Sequence, residues 1–234
     1  MKQLSIGYST CPNDTYIFDA LVHNKIDHDY RFNVFLEDVE SLNQTALKNA
    51  LDISKISIHA WFHLTSNYEL LSSGAALGRG CGPLLIGKST EIPKTGKIAL
   101  PGDLTTATLL FKIALPGDFE FVQMTFDEII PAILKNEVDG GVIIHESRFT
   151  YQNYGLSKKL DLGQWWEDET GCMIPLGGIM IKRQISEDIK KRICRLIEQS
   201  ISFANQYPKE SINYVKSHAK EIEDKVIKSH IKLY

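Results

Sequence analysis

Segments typical of strands and of helices alternate along most of the chain, and this alternation restricts the possible folds more than any other feature. The stretch Leu4–Tyr8 has the short apolar pattern of a strand, and the helical spacing that follows begins at Asn13 or Asp14 as a predicted cap. Strands separated by helices of about ten residues indicate βαβ units, so we predict an α/β fold with a mostly parallel sheet. The other predicted elements are the strands Phe32–Leu36, Ile53–Ile58, Pro83–Ile86, Lys97–Leu100, Phe119–Met124 and Gly141–Ile144 and the helices Leu42–Asn49 (capped by Ser41), Thr105–Ala114 and Asp127–Lys135.

The alternation pauses at a polar segment, residues 88–97. Much later, the strand-like segment Gly177–Lys182 precedes a part of the chain that has helical patterns alone. We therefore predict two α/β lobes, a larger discontinuous one of residues 1–93 and 179–234 and a smaller one of residues 94–178. The helices predicted near the carboxyl end begin after Ser186, at Pro208 and at about Glu221.

The charge and the cysteine pattern argue against several classes of protein. A formal net charge of -3 without a long basic run disfavours nucleic acid or an anionic membrane as the main partner. The four cysteines lack C-x-x-C spacing, which indicates reduced thiols and neither a zinc site nor a disulfide framework. The amino terminus lacks the apolar core of a signal peptide, and no apolar stretch approaches the roughly 20 residues that span a bilayer. We expect a cytoplasmic protein that acts on a small molecule.

A cluster of polar residues follows one apolar strand directly. The run Val142–Ile144 is β-branched and is preceded by two glycines, a pattern typical of a buried strand in a parallel sheet. Ligands of open α/β sheets bind beyond the carboxyl ends of strands, where this chain has His145 and Arg148 as candidate site residues. An imidazole titrates close enough to neutrality to take a proton. His145 is therefore a candidate general base, although a histidine that only hydrogen-bonds a loop carbonyl fits the same pattern.

Three strand-to-helix junctions carry groups suited to holding ligand oxygen atoms. In Ser9–Thr15, hydroxyls and Asn13 surround a helix start that can attract an anion, or that is simply capped. At the next junction, alternation puts Lys55 and Ser57 on one face of a strand, where they could hold an anionic or hydroxylated ligand. An ordinary edge strand with one hydrated face would give the same alternation. In Pro101–Ala107, adjacent threonines again begin a helix. The repetition of this chemistry favours ligand binding.

The glycine-rich segment Gly78–Pro83 resembles a nucleotide-binding fingerprint only superficially. Because Pro83 leads into apolar residues and not into a helix, we reject nucleotide binding there. Arg79, in what we expect to be a flexible loop, is a candidate clamp for a carboxylate, with a simple glycine-rich turn as the alternative. Cys11 lacks a basic neighbour, which argues against a thiol nucleophile. The sequence has no metal-ligand spacing and no G-x-S-x-G motif, so no metal site is predicted.

Five longer motifs are spread over nearly the whole chain. They are S-x-C-P-N-D-T at Ser9–Thr15, L-E-D-V-E-x-L-N at Leu36–Asn43, G-A-L-G-R-G-x-G-P with an extra alanine at residues 74–83, P-G-x-x-T-T-A at Pro101–Ala107 and I-I-H-E-S-R-F-T-Y at Ile143–Tyr151. In these motifs the chain closely resembles the 1,4-dihydroxy-6-naphthoate synthase family, which acts in the futalosine route to menaquinone. The last motif is specific enough that chance is a poor explanation.

The resemblance implies a two-lobed periplasmic-binding-protein-like fold (type II) with a cleft between the lobes. It implies a carbon–carbon lyase that converts cyclic dehypoxanthinyl futalosine to 1,4-dihydroxy-6-naphthoate and dihydroxyacetone, with no cofactor. The family's proton acceptor matches His145. The family's substrate contacts match Lys55, Ile56, Ser57, Thr106 and Ala107, and the residue-based argument adds Asn13, Arg79 and Arg148.

Two other functions fit much of this pattern. A solute-binding protein would have the same fold, but the absence of a signal peptide and the presence of His145 disfavour it. A chorismate dehydratase of the same pathway also shares the fold, and the motif Ile143–Tyr151 favours the synthase over it. Ligand recovered unchanged would indicate the first alternative, and an exchange of substrates would separate the second. The oligomeric state is open.

Overall fold

The computed structural model describes residues 2–145, 147–219, 227, 228 and 231. The strands are β1 (Lys2–Tyr8), β2 (Tyr30–Leu36), β3 (Ile53–Ser57), β4 (Tyr68–Leu70), β5 (Ala76–Gly78), β6 (Leu84–Gly87), β7 (Thr95–Leu100), β8 (Asp118–Gln123), β9 (Gly140–Ile143), β10 (Ser157–Asp161) and β11 (Ile174–Lys182). The helices are α1 (Pro12–Val22), α2 (Val39–Leu47), α3 (Ile58–Phe62), α4 (Thr106–Ala114), α5 (Ile129–Leu134), α6 (Ser147–Thr150), α7 (Leu162–Thr170), α8 (Glu187–Gln206) and α9 (Pro208–His218), and a 3₁₀ turn covers Tyr151–Tyr154.

These elements form two compact units, each with its own sheet. Unit 1 contains the chain up to Ala76 and again from Gly177, and unit 2 is Leu77–Leu176. The predicted α/β class with two lobes is confirmed. No helix in the described ranges is long and apolar enough to cross a membrane. The helix predicted from about Glu221 lies outside the described residues, apart from short pieces.

The sheet of unit 1 is mixed, with the strand order β2-β1-β3-β11-β4 and with β5 also paired to β11. β1 runs parallel to β2 and β3, and Ile6 lies opposite both Val34 and Ile53. β11 runs antiparallel to β3 and β4. The side chains of Ile6 and Ile53 are buried together with Phe18 of α1 and Ile193 of α8, so these helices cover the apolar face of the sheet. Burial of each such side chain stabilises the fold by about 1.5–3 kcal/mol.

The sheet of unit 2 has the order β10-β6-β9-β7-β8. β7 is parallel to β8 and β9, whereas β6 pairs antiparallel with β9 and β10. β9 is buried throughout, as expected for the strand that leads to His145. Gly141 is required there, because a Cβ atom at this position would lie 2.3 Å from Ile129 Cγ2 of α5. The prediction of a mostly parallel sheet is wrong for both units, since antiparallel strands extend each parallel core.

The unit boundaries differ from those predicted from the sequence. The chain leaves unit 1 after Ala76 and returns at Gly177, instead of crossing at residues 93/94 and 178/179. The earlier crossing follows from β6, which hydrogen-bonds to β9 and β10 and therefore belongs to unit 2. The polar segment 88–97 is thus internal to unit 2, where its last residues begin β7.

Two predicted helix caps are also wrong. α1 begins after Cys11 with Pro12 in its first turn, so Asn13 and Asp14 lie inside the helix. α2 begins after Asp38, whose carboxylate accepts hydrogen bonds from the backbone N–H groups of Glu40 and Ser41. A carboxylate at this position also interacts favourably with the helix dipole, which explains why the helix starts before the predicted Ser41 cap.

Candidate active site

In unit 1, the junction between β1 and α1 holds a buried carboxylate, that of Asp14. Its Oδ2 atom accepts hydrogen bonds from the backbone N–H of Ser9 at 3.1 Å and from Ser9 Oγ at 2.7 Å. Its Oδ1 atom accepts from Asn13 Nδ2 at 3.0 Å and from Lys55 Nζ at 2.5 Å. Burial by itself would raise the pKa of Asp14, but the charge and hydrogen bonds of Lys55 and Ser9 outweigh it and lower the pKa. Asp14 is therefore a stable anion that orients its neighbours.

The charge of Lys55 is balanced by this carboxylate. Lys55 lies on β3 with 6% of its surface exposed, and an ammonium that is so deeply buried needs a negative partner. Within the described ranges, one of its N–H donors has a protein acceptor, Asp14 Oδ1. The predicted site residues Asn13 and Lys55 are thus brought together through Asp14, and the pair carries no net charge.

The predicted site residue Ser57, at the end of β3, is fixed by Asn43 of α2. The amide oxygen of Asn43 accepts the backbone N–H of Ser57 at 3.0 Å, and Asn43 Nδ2 donates to Ser57 Oγ at 3.3 Å. The same Nδ2 atom donates to Glu40 Oε2 at 3.1 Å. Ile56, the third predicted contact on β3, has a buried side chain and pairs with Gly178 in the sheet. A ligand contact from Ile56 would therefore involve its backbone.

In unit 2, His145 lies two residues beyond the end of β9. It is half-buried, and its ring packs edge-on against Phe126 with 5.0 Å between ring centroids. Its backbone φ angle is 56°, in the left-handed region that residues other than glycine and asparagine rarely adopt. Such backbone strain is concentrated at functional sites. The position and the strain both agree with the predicted catalytic role.

Arg79 lies in the glycine-rich loop, residues 78–83, and Arg148 of α6 bonds to that loop. The guanidinium of Arg148 donates to the carbonyls of Gly82 at 2.6 Å and Gly80 at 3.3 Å, and to Asp161 Oδ2 at 3.0 Å. The backbone N–H of Gly80 donates to Glu167 of α7. These bonds hold the loop in place, although we expected it to be flexible, and Arg79 is exposed. A direct substrate contact by either arginine stays a prediction.

The other predicted residues of unit 2 begin α4. Thr105 caps this helix, since its side chain accepts the backbone N–H of Thr108. Thr106 donates its hydroxyl to the carbonyl of Leu176 at 2.8 Å, and Ala107 is buried. α4 packs against β9 and α7 in the same unit.

Two cysteines at these places are buried, which argues against a role as nucleophiles. Cys81 is buried in the glycine-rich loop, and burial raises the pKa of its thiol despite the nearby Arg148. Cys11 is also buried, at the start of α1. Burial of Cys11 agrees with its interpretation from the sequence neighbours, which gave no support to a thiol nucleophile.

The chain matches a known protein family over almost its whole length. The family model is described as menaquinone biosynthesis and matches residues 4–234. The chain belongs to this menaquinone biosynthesis family.

Two relatives are named 1,4-dihydroxy-6-naphtoate synthase. The one from Thermus thermophilus is 41% identical over 235 residues, which is 100% of this chain and 86% of the relative. The one from Streptomyces coelicolor is 40% identical over 237 residues, covering 99% of this chain and 84% of the relative. Both confirm the resemblance found in the five sequence motifs.

Solved structures confirm the fold of this family member. A crystal structure of a protein from Archaeoglobus fulgidus has a TM-score of 0.94 and 37% identity, with 99% of this chain and 88% of that chain covered. A Candida albicans protein with the generic periplasmic binding protein fold has a TM-score of 0.73 and 17% identity, with 100% and 81% covered. The second likeness concerns the fold alone, and it agrees with the predicted periplasmic-binding-protein-like class.

Sequence reasoning missed three polar residues that organise these sites. The sequence patterns predict Asp14 only as a helix cap, include Asn43 only as the end of a motif, and do not indicate Asp161. Asn43 has a detectable signal, since it is a polar residue on the apolar face of a short helix beside Leu42 and Ala46. The partner of Asp161 is 13 residues away in a different element, and no local pattern indicates that contact.

Proposed function

We propose that this protein is a 1,4-dihydroxy-6-naphthoate synthase, which converts cyclic dehypoxanthinyl futalosine to 1,4-dihydroxy-6-naphthoate and dihydroxyacetone. The observation that carries this proposal is an identity of 40–41% over essentially the whole chain with two proteins of that name. Membership of the menaquinone biosynthesis family supports the same pathway. The reaction needs no cofactor in this proposal and takes place in the cytoplasm.

We assign the role of proton acceptor to His145. Cleavage of a carbon–carbon bond in a polyhydroxylated ring requires a base and a means to stabilise the enolate that forms, and aromatisation of the product supplies the driving force. The assignment is supported by the place of His145 beyond the buried strand β9, by its strained backbone and by its packing against Phe126. A well-positioned general base contributes about 10²–10⁴-fold to a rate.

We propose that oxygen atoms of the substrate are bound by Lys55, Ile56 and Ser57 of β3 and by Thr106 and Ala107 of α4. Because the charges of Lys55 and Asp14 cancel, this pair suits hydroxyl and carbonyl oxygens better than a free carboxylate. Asn43 holds Ser57 in one orientation, and Asp14 does the same for Asn13 and Lys55. At the start of α4, backbone N–H groups supply donors to a further oxygen.

We propose that Arg79 binds the carboxylate of the substrate. This arginine is exposed and stands next to Gly80, whose N–H and carbonyl groups are both bonded within unit 2. A guanidinium on a fixed loop forms a well-oriented bidentate pair with a carboxylate. Arg79→Lys would keep the charge and lose that geometry.

The test is to incubate the purified protein with cyclic dehypoxanthinyl futalosine and to follow the product by absorbance and mass. Product from the wild type and a loss of turnover by orders of magnitude in His145→Ala are expected. His218→Ala is the matched control, because His218 also packs edge-on against an aromatic ring, that of Tyr214, at 4.6 Å. Substrate recovered intact from a tight complex would indicate a binding protein, and turnover of chorismate instead would indicate the dehydratase. Either result contradicts the proposal.

A further inference from the structure

Arg148 connects three parts of unit 2 through one side chain. Its guanidinium bonds to the carbonyls of Gly80 and Gly82 in the glycine-rich loop and to Asp161 at the end of β10. The side chains of Arg148 and Asp161 are 16% and 15% exposed, so the ion pair is shielded from much of the solvent. A shielded, multiply bonded guanidinium is worth more than a surface ion pair. The side chain of Arg148 is therefore firmly held in this position.

The groups that Arg148 bonds are themselves held by hydrogen bonds and close packing. Asp161 Oδ1 caps α7 by accepting the backbone N–H of Gln164, while Oδ2 accepts from Arg148. The loop packs against the start of α7 backbone to backbone, because a Cβ atom on Gly163 would lie only 1.8 Å from the carbonyl oxygen of Cys81. Glu167 of α7 also accepts the N–H of Gly80. Arg148 is thus bonded to the glycine-rich loop and to the residue that caps α7, and the loop and α7 pack directly against each other.

The same arginine borders the strained turn of His145. The backbone N–H of Arg148 donates to the carbonyl of His145 at 3.3 Å, so the two residues are joined across one turn. A residue other than glycine keeps a φ angle of 56° only when its surroundings impose it. Phe126 contacts the imidazole itself, and Arg148 anchors the chain that follows. Without this anchor, the turn is free to relax toward an unstrained conformation.

We propose that Arg148 is a positioning residue for His145, acting through the Arg148–Asp161 pair and the glycine-rich loop, and not a substrate contact. The inference rests on the proposed function in one respect, that His145 is the base. Misplacement of a catalytic group by about 1 Å costs about 10²-fold in rate. Removal of the anchor should therefore lower kcat and leave KM nearly unchanged.

The test compares Arg148→Ala, Arg148→Lys and Asp161→Asn. Asparagine caps helices as well as aspartate does, so Asp161→Asn keeps the α7 cap and removes only the charge that Arg148 binds. Arg183→Ala is the control, because Arg183 bonds the carbonyl of Thr65 and Glu69 in unit 1 in a similar way. We expect kcat to fall about 10²-fold in Arg148→Ala and less in Asp161→Asn, with KM within about threefold. Guanidinium ion added to Arg148→Ala should restore part of kcat.

A second measurement does not depend on turnover. The imidazole resonances of His145 and His218 are followed by NMR in each variant, with His145 assigned by its loss in His145→Asn. The signal of His145 should shift in Arg148→Ala and Asp161→Asn and stay in place in Arg183→Ala, while that of His218 stays in place in all of them. If the wild type does not turn over the substrate but the variants show these shifts of the His145 resonance, the proposed function is contradicted and the positioning role of Arg148 is not.

Two results would overturn the positioning role. One is a raised KM with unchanged kcat in Arg148→Ala together with normal kinetics in Asp161→Asn, since that pattern belongs to a direct substrate contact. The other is a His145 resonance that does not move. If Arg148→Ala fails to fold, Arg148→Lys and Asp161→Asn decide the question in the same way.

Discussion

Lys55 Nζ lies 2.5 Å from Asp14 Oδ1, and the side chain of each residue is 7% exposed. The two residues are 41 positions apart and belong to different elements, β3 and α1. This ion pair joins the two strand-to-helix junctions of unit 1 that carry proposed substrate contacts. Since both charges are removed from water, neither is stable without the other.

Lys55→Ala should therefore destabilise the protein by about 3–5 kcal/mol, because it leaves the Asp14 carboxylate buried and unpaired. The double variant Lys55→Met, Asp14→Asn should recover much of this loss, since no isolated charge remains. Lys97→Ala is the control, because Lys97 pairs with Glu120 at an exposed site, and its effect should stay below about 1 kcal/mol. Urea unfolding measures all three. Equal effects of Lys55→Ala and Lys97→Ala would show that the buried pair is not strongly coupled.

The lowered pKa of Asp14 predicts how stability depends on pH. Because the folded pKa lies below the ordinary value, the unfolded state binds more protons, and stability falls as the pH falls. This contribution is complete above the ordinary pKa of an aspartate, about 3.9, and is lost as the pH drops through the folded value. The unfolding free energy should therefore fall less steeply for Asp14→Asn than for the wild type as the pH is lowered from about 5 to about 2. Parallel curves would contradict the assignment.

The strained backbone of His145 predicts a conflict between stability and activity. His145→Ala and His145→Gly both remove the imidazole and its contact with Phe126, but only glycine adopts a φ angle of 56° without strain. The glycine variant should therefore be more stable than the alanine variant by about 1 kcal/mol, and both should be inactive. Thermal unfolding of the two proteins checks this. An alanine variant as stable as the glycine variant would show that the turn is not strained.

Part of the fold could be predicted from the sequence, whereas β4, β5, β10 and α7 were not predicted. Alternating patterns located β1, β3, β7, β9 and α4 to within about two residues, because hydrophobic periodicity and capping are local signals. The patterns did not indicate that β6 joins β9 antiparallel or that β11 joins β3, because strand pairing depends on contacts that are distant along the chain. The unit boundary near Ala76 was missed for the same reason.

The sites show the same limit at the level of single residues. Lys55, Ser57 and His145 could be proposed as site residues from the sequence because Lys55 and Ser57 lie near the end of one predicted strand and His145 follows another. The bonds that hold them could not be found in this way, because Asp14 binds Lys55 across 41 residues and Asn43 binds Ser57 across 14. Arg148 was predicted to bind the ligand because it follows the strand that leads to His145, whereas its acceptors lie 13, 66 and 68 residues away in the protein itself.

The close packing of Gly163 against the glycine-rich loop predicts a substitution with a large effect. In Gly163→Ala, the new Cβ atom would lie 1.8 Å from the carbonyl oxygen of Cys81 and close to Gly82, and both are backbone groups that cannot rotate away. The loop or the start of α7 must then move, which should destabilise the protein by about 3 kcal/mol. The movement should also loosen the acceptors of Arg148, so activity should fall in the molecules that still fold.

Gly155→Ala is the matched control for this substitution. Gly155 has a φ angle of 70° and open space around its Cβ position, so alanine there meets backbone strain without a steric clash. That strain costs about 1 kcal/mol and leaves the loop and α7 in place. Urea unfolding and turnover measurements should therefore distinguish the two variants clearly, because Gly163→Ala should lose both stability and activity. Similar small losses in the two variants would show that the loop and α7 can move apart easily. That result would contradict the proposal that they hold Arg148 in place.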